Sequence, residues 1–231
     1  VQARLRGRKF WCSGAPTLSH ALLTAWGADG KGPYLVKVSL DQPAVRVTNE
    51  GWTAVGMAAS SSVDVYFDDA MGTLLGCEGA YLERPGFWHG GAGIAACWYG
   101  AATMLATALH QANAKCGASS PHPFRQAALG KVDVALRQTS AMLRQAATWI
   151  DDHPLEDASG IALRVRLSAE DSARTVMEEV GRALGAQPFC RDQRFARMAA
   201  DLPVFLRQSG AERDFAALGE RVTQAPNPWT L

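Results

Sequence analysis

The chain has 231 residues, 48% of them hydrophobic and 19% charged, with a formal net charge of +1 at pH 7. That composition describes a globular protein with room for one or two cores and excludes a disordered segment. A charge this close to zero, with no dense Lys/Arg stripe, excludes an electrostatic nucleic-acid binder. The five cysteines (Cys12, Cys77, Cys97, Cys116 and Cys190) are scattered and never form a Cys-x-x-Cys pair. They read as reduced thiols of a cytoplasmic protein rather than as a disulfide framework or a zinc site.

In chain order, the first stretch reads as strands with turn punctuation. Lys9 to Ser13, Ala21 to Trp26, Tyr34 to Leu40 and Val45 to Thr48 are the early candidates. Gly27 to Pro33 is the turn between the second and the third. Val63 to Asp68 alternates, with Val63, Val65 and Phe67 on one face and Asp64, Tyr66 and Asp68 on the other, the pattern of a half-buried strand. After Gly79 the period becomes helical. Pro85 to Asn113 carries no Asp, Glu, Lys or Arg. Its length suits a membrane span, but its many Ala and Gly residues, with His89, His110 and Gln111, favour a bundle helix contacted on every side, and no membrane span is expected.

A second helix runs from about Pro123 to Asp151, with Ala128, Val132, Ala135, Leu136, Leu143, Ala146, Ala147 and Ile150 inward, and Pro154 stops it. A third spans about Asp157 to Leu184. It buries Ile161, Val165, Ala169, Ala173, Val176 and Val180 and turns Arg164, Asp171, Arg174, Glu178 and Arg182 to water. A fourth covers Arg191 to Ala200, limited by Pro203, and a short fifth runs from Val204 to Leu218 with a break at Gly210. The tail from Gln224 frays. The organisation is α+β: a small antiparallel β-domain, residues 1–79, then a bundle of four to five helices, residues 80–231.

Motifs for common chemistries are missing from this sequence. It has neither Gly-x-Gly-x-x-Gly after a strand nor a Gly-Lys-Ser/Thr loop, and no Gly-x-Ser-x-Gly elbow. Its five histidines have no metal-ligand spacing.

One set of short motifs does keep a known order. Lys9-Phe10-Trp11-Cys12-Ser13-Gly14 comes first, then Gly56-Met57-Ala58-Ala59-Ser60, Phe67-Asp68 and Leu74-Leu75-Gly76-Cys77-Glu78-Gly79. Phe87 onward, Ala183-Leu184-Gly185 and Arg191-Asp192 follow. In order and spacing this resembles the β-domain and C-terminal helical domain of the acyl-CoA dehydrogenase superfamily. The resemblance implies a flavoprotein that binds FAD, with Trp11 against the isoalloxazine ring and Ser13 near its N5. It also implies an acyl-CoA or similar small-molecule substrate, α,β-dehydrogenation, and subunits packed through the bundle as homo-oligomers.

The departures are as specific. The family's N-terminal helical domain and the start of its β-domain have no counterpart, so self-association or a partner supplying that domain is expected. Ala58 stands where arginine is usual, and the Arg-x-x-Phe-Gly run that reaches a neighbouring subunit's flavin is missing around Ser120 to Gly130. Where Glu-Gly-Thr should carry the catalytic base, Ala199-Ala200-Asp201-Leu202-Pro203 appears, and Asp201 is the carboxylate nearest that place. Three functions follow: a dehydrogenase with Asp201 as base, a degenerate non-catalytic partner subunit, or a flavin monooxygenase, which needs no such base.

Overall fold

The computed structural model describes residues 1–116, 122–227 and 229. They form two compact units, Val1–Phe87 and Trp88–Leu231.

The first unit is an antiparallel sheet of β1 (Gln2–Cys12), β2 (His20–Ala25), β3 (Tyr34–Ser39), β4 (Val45–Val47) and β5 (Val63–Leu75). The strands lie in the order β1-β5-β3-β2, and β4 also pairs with β5. β5 is the spine. One edge carries β1; the other is shared by β4, opposite residues 65–67, and β3, opposite residues 72–75. Gly72 permits that sharing, because a Cβ there would lie 2.6 Å from Val36 Cγ1. Val36, Val38, Val65 and Ala70 form the dry centre, each fully buried valine contributing about 1.5–3 kcal/mol.

β1 starts at Gln2 rather than Lys9. Leu5 points into the core between exposed Arg4 and Arg6, and both arginines pair with Asp69. Asp69 can take two partners because the β1–β5 register shifts there and its φ is 65°. Asp64 corrects the expected alternation: it is 1% exposed, not on the open face. Residues 48–50 fold back over the strand, so that Asp64 N–H donates to Glu50 O (3.0 Å) and Thr48 N–H to Asp64 O (3.1 Å). Arg8 pairs with the carboxylate from the other side. A short helix, α1 (Ala80–Glu83), ends the unit's folding pattern.

The second unit is built on α2 (Pro85–Cys116), α3 (Pro123–Asp152), α4 (Ser159–Leu184), α5 (Gln187–Arg191), α6 (Gln193–Leu206) and α7 (Glu212–Gln224). Trp98, Leu105 and Leu109 of α2 meet Val132 of α3, Val165 and Val176 of α4 and Leu202 and Leu206 of α6 in one core. α4 turns Arg164, Asp171, Arg174, Glu178 and Arg182 to solvent as its period predicts. It also buries a charge pattern the period does not show. Arg166 donates to Gly91 O (3.0 Å) and Gln208 O (3.1 Å) and lies 4.9 Å above the Trp98 ring. Glu170 takes Arg174 and Arg207 at 2.5 and 3.2 Å. Burial lowers the Arg166 pKa from its usual value.

Three expectations change in this unit. α6 runs through Pro203 instead of stopping before it. The proline removes one helical hydrogen bond, a loss of about 3 kcal/mol; Leu202 and Leu206, each 1% exposed and one turn apart, offset it by burial. α2 is packed on one face only: Ala92, Ala95, Trp98, Ala102 and Leu109 are buried, while Gly93, Ala96, Cys97 and Gly100 are open. By length and composition alone Pro85–Lys115 could cross a membrane, and 39% of its 18-residue apolar window is buried. Ala147, expected inward on α3, is exposed. Most of the segment from Ser120 to Gly130 is described, but residues 117–121 and the final residues of the tail lie outside the described residues.

Candidate functional site

The β-unit holds a groove of about 390 Å³ between the end of β1, the turn after it, and β2. Leu23, Val65 and Phe67 make its floor, and Phe10, Trp11, Leu18 and Leu22, all exposed, make its rim. Single exposed apolar residues are ordinary, but four around one concavity mark a binding surface. β1 and β2 are not neighbours in the sheet. Lys9 links them by donating from Nζ to Thr24 O (3.2 Å) and Thr24 Oγ1 (3.1 Å).

A second register shift in β1 shapes the rim. Lys9 pairs with Val65 and Cys12 with Val63, so Phe10 and Trp11 together oppose Asp64. Such a bulge re-aims side chains, and bulges recur beside functional sites. Trp11 is left at φ 56° and 73% exposed. A bulky residue in the left-handed region stores about 1–2 kcal/mol of strain, and strain held at an exposed tryptophan is a pointer to function. Ser13 follows at once. Its N–H donates to Trp11 O (3.0 Å), and Gly14 N–H donates to Ser60 O (2.8 Å), which ties the turn to a 3₁₀ segment, Ala58–Ser60.

Behind Ser13 runs a file of hydroxyls. Ser13 Oγ lies 2.7 Å from Ser62 Oγ, Ser62 Oγ lies 2.9 Å from Ser60 Oγ, and Ser60 Oγ donates to Met57 O at 2.8 Å. Trp52 Nε1 donates to the same carbonyl at 3.2 Å. Cys12 lines the groove too, and burial raises its thiol pKa, with Lys9 opposing in part. Among the described residues no cluster of three or more His, Cys, Asp or Glu could hold a metal.

Trp11 and Ser13 therefore share one groove. Asp201 belongs to the helical unit, where its carboxylate lies 3.5 Å from Arg197 one turn earlier on α6. Lys9, Ser60 and Ser62 were not singled out as site residues by the sequence. The signal for the serines is that Ser60 closes the Gly56-Met57-Ala58-Ala59-Ser60 motif and opens the run Ser60-Ser61-Ser62.

No family model matches the chain. An 87-residue stretch is 36% identical to the amino sugar nitrososynthase RubN8 of Streptomyces rubradiris, covering 34% of this chain and 20% of that protein. Among solved structures, a probable acyl-CoA dehydrogenase of Mycobacterium abscessus superposes with a TM-score of 0.83 at 15% identity, over 96% of this chain and 61% of the other. KijD3, in complex with FMN and dTDP-3-amino-2,3,6-trideoxy-4-keto-3-methyl-D-glucose, gives 0.77 at 20% identity, over 97% and 60%. The chain has the acyl-CoA dehydrogenase fold and spans about 60% of the length of these two structures.

Proposed function

We propose that this chain is the flavin-holding part of a monooxygenase that oxidises the amino group of an amino sugar. The observation that carries this is its 36% identity over 87 residues to an amino sugar nitrososynthase. KijD3, which shares this fold, is seen with FMN and a dTDP-linked amino sugar, the two ligands this reading calls for.

The groove suits a flavin ring. A flat, electron-poor ring system stacks on an indole face; Trp11 offers one, exposed, above the apolar floor of Leu23, Val65 and Phe67. Ser13 supplies a hydroxyl for the ring's N5 edge. FAD, implied by the family resemblance, and FMN carry the same ring, and the groove addresses that shared part. Bound in its reduced form, the flavin supplies two electrons, so that dioxygen gives one oxygen atom to the nitrogen and one to water. The apolar rim keeps bulk water from the ring, and Lys9 holds the two sides of the groove together.

Oxidation at nitrogen requires no carboxylate to take a proton from carbon. That agrees with Ala199-Ala200-Asp201 at the superfamily's Glu-Gly-Thr position and with Asp201 beside Arg197 on its own helix. The same reading carries a cytoplasmic location, where Cys12, Cys77, Cys97 and Cys190 stay the free thiols they are, and assembly as a homo-oligomer or with a further segment.

The test is a paired assay, a dTDP-linked amino sugar with reduced FMN and air against an acyl thioester with oxidised flavin. A dTDP-linked amino sugar gaining one oxygen atom supports the proposal. An acyl thioester losing two hydrogens, with the sugar untouched, replaces it with dehydrogenation using Asp201 as base. If neither substrate changes while flavin is bound, the chain is a non-catalytic partner.

A further inference from the structure

We propose that Ser60 and Ser62 fix Ser13 as a hydrogen-bond acceptor, and so make the groove prefer reduced over oxidised flavin. The inference rests on the flavin reading above and concerns residues beyond the Trp11–Ser13 pair.

The polarity follows from the far end of the hydroxyl file. A carbonyl oxygen can only accept, so at 2.8 Å from Met57 O the single hydroxyl hydrogen of Ser60 is taken up. Ser60 Oγ then has only lone pairs to offer Ser62, 2.9 Å away, and Ser62 must be the donor. Ser62 is 4% exposed and has no second hydrogen, so it accepts from Ser13 at 2.7 Å. Ser13, the member that lines the groove, has its own hydrogen directed inward. What it presents outward is a lone pair.

The anchor is firm. Met57 is held at φ 58°, and its carbonyl also receives Ser60 N–H at 3.0 Å and Trp52 Nε1 at 3.2 Å. Reversing the file would set Ser60 Oγ against Met57 O with no hydrogen between two oxygens 2.8 Å apart. That forfeits a hydrogen bond and adds repulsion between lone pairs, which is unfavourable where Ser62 is buried.

A hydroxyl locked as acceptor discriminates between the two flavin states. N5 of the oxidised ring bears a lone pair and needs a donor; N5 of the reduced ring bears hydrogen and needs an acceptor. With the file in place, Ser13 Oγ complements the second and repels the first. Ser60→Ala removes the anchor's donor, so Ser62 becomes free to donate to Ser13 and Ser13 to the ring. Ser62→Ala frees Ser13 directly. Ser13→Ala removes the discriminating group.

The experiment measures FMN binding in both states, anaerobically for the reduced one, and the midpoint potential of the bound flavin. For the parent, the reduced form is expected to bind about tenfold tighter than the oxidised, a net hydrogen bond's worth, which raises the bound potential about 30 mV above free FMN. Ser60→Ala and Ser62→Ala are each expected to bind oxidised FMN about tenfold tighter than the parent and to lower the potential by a similar amount. Ser13→Ala should bring the bound potential back to that of free FMN. Two results overturn the inference while leaving the flavin site standing: a parent that binds both states alike, or Ser60→Ala and Ser62→Ala proteins that fold, bind FMN and keep the parent's ratio. A parent that binds neither state overturns the flavin site itself, and this inference with it.

Discussion

Replacing Trp11 with glycine separates a site tryptophan from a core tryptophan. Trp11 is 73% exposed, so only about a quarter of its side chain is buried. A fully buried tryptophan covers about 150–250 Å²; a quarter of that, at ~25 cal/mol per Å², is roughly 1–1.5 kcal/mol lost on truncation. Against it stands the release of left-handed strain at φ 56°, about 1–2 kcal/mol, less about 0.5–1 kcal/mol for the added freedom of glycine in the unfolded chain. The terms nearly cancel. Urea unfolding followed by far-ultraviolet circular dichroism should therefore show Trp11→Gly within about 1 kcal/mol of the parent. Trp98→Ala removes a ring that is 0% exposed and should lose about 3–5 kcal/mol. Flavin affinity should move the other way: Trp11→Gly should weaken it at least about fivefold, equivalent to roughly 1 kcal/mol of lost stacking, and Trp98→Ala should leave the groove's affinity unchanged in whatever fraction stays folded. A loss of 3 kcal/mol or more in Trp11→Gly, on the scale of a buried ring, or unchanged flavin affinity, would make Trp11 a core residue and not a flavin platform.

Further outcomes follow from the same geometry. Asp201→Asn should leave oxidation of the amino sugar within about twofold of the parent; a fall on the order of 10²–10⁴ would mark Asp201 as the base of a dehydrogenase. Hydrogen bonds from Ser159 and then the Arg221 ion pair hold the Asp157 carboxyl below its usual pKa. A depressed folded pKa contributes stability above the unfolded value, about 3.9, that is lost as pH falls through the folded one. Acid unfolding below about pH 4 should thus be less steep in Asp157→Asn, and an identical profile would count against this pairing. Timed alkylation with mass-spectrometric mapping should find Cys12 modified more slowly than exposed Cys77, Cys97 and Cys190, because burial keeps its thiol protonated; faster modification of Cys12 would contradict that cause.

Local pattern and long-range pairing explain what was legible. α4 could be read from its period because one core-facing stripe fixes which residues stay dry, and Val165, Ala169, Ala173, Val176 and Val180 are buried as that stripe requires. The burial of Arg166 on the same helix could not be read, since it depends on carbonyls at Gly91 and Gln208, far along the chain. Pro203 misled for a related reason: breaking propensity is local, and the burial of Leu202 and Leu206 that overrides it is not. At the groove, Trp11 and Ser13 stand two residues apart, so their shared location was visible as a motif. The left-handed turn at Trp11 was not, because it arises from a register shift against β5. The serine file was hidden for the same reason, since Ser13 meets Ser62 only once β1 and β5 pair.

The proposal that this chain uses bound reduced flavin to place oxygen on a sugar nitrogen is checked by isotopic labelling. With reduced FMN, a dTDP-linked amino sugar and isotopically heavy dioxygen in unlabelled water, the new oxygen on the product nitrogen is expected to carry the heavy label. A product whose oxygen comes from water, or a sugar recovered unchanged while an acyl thioester given oxidised flavin loses two hydrogens, would contradict it.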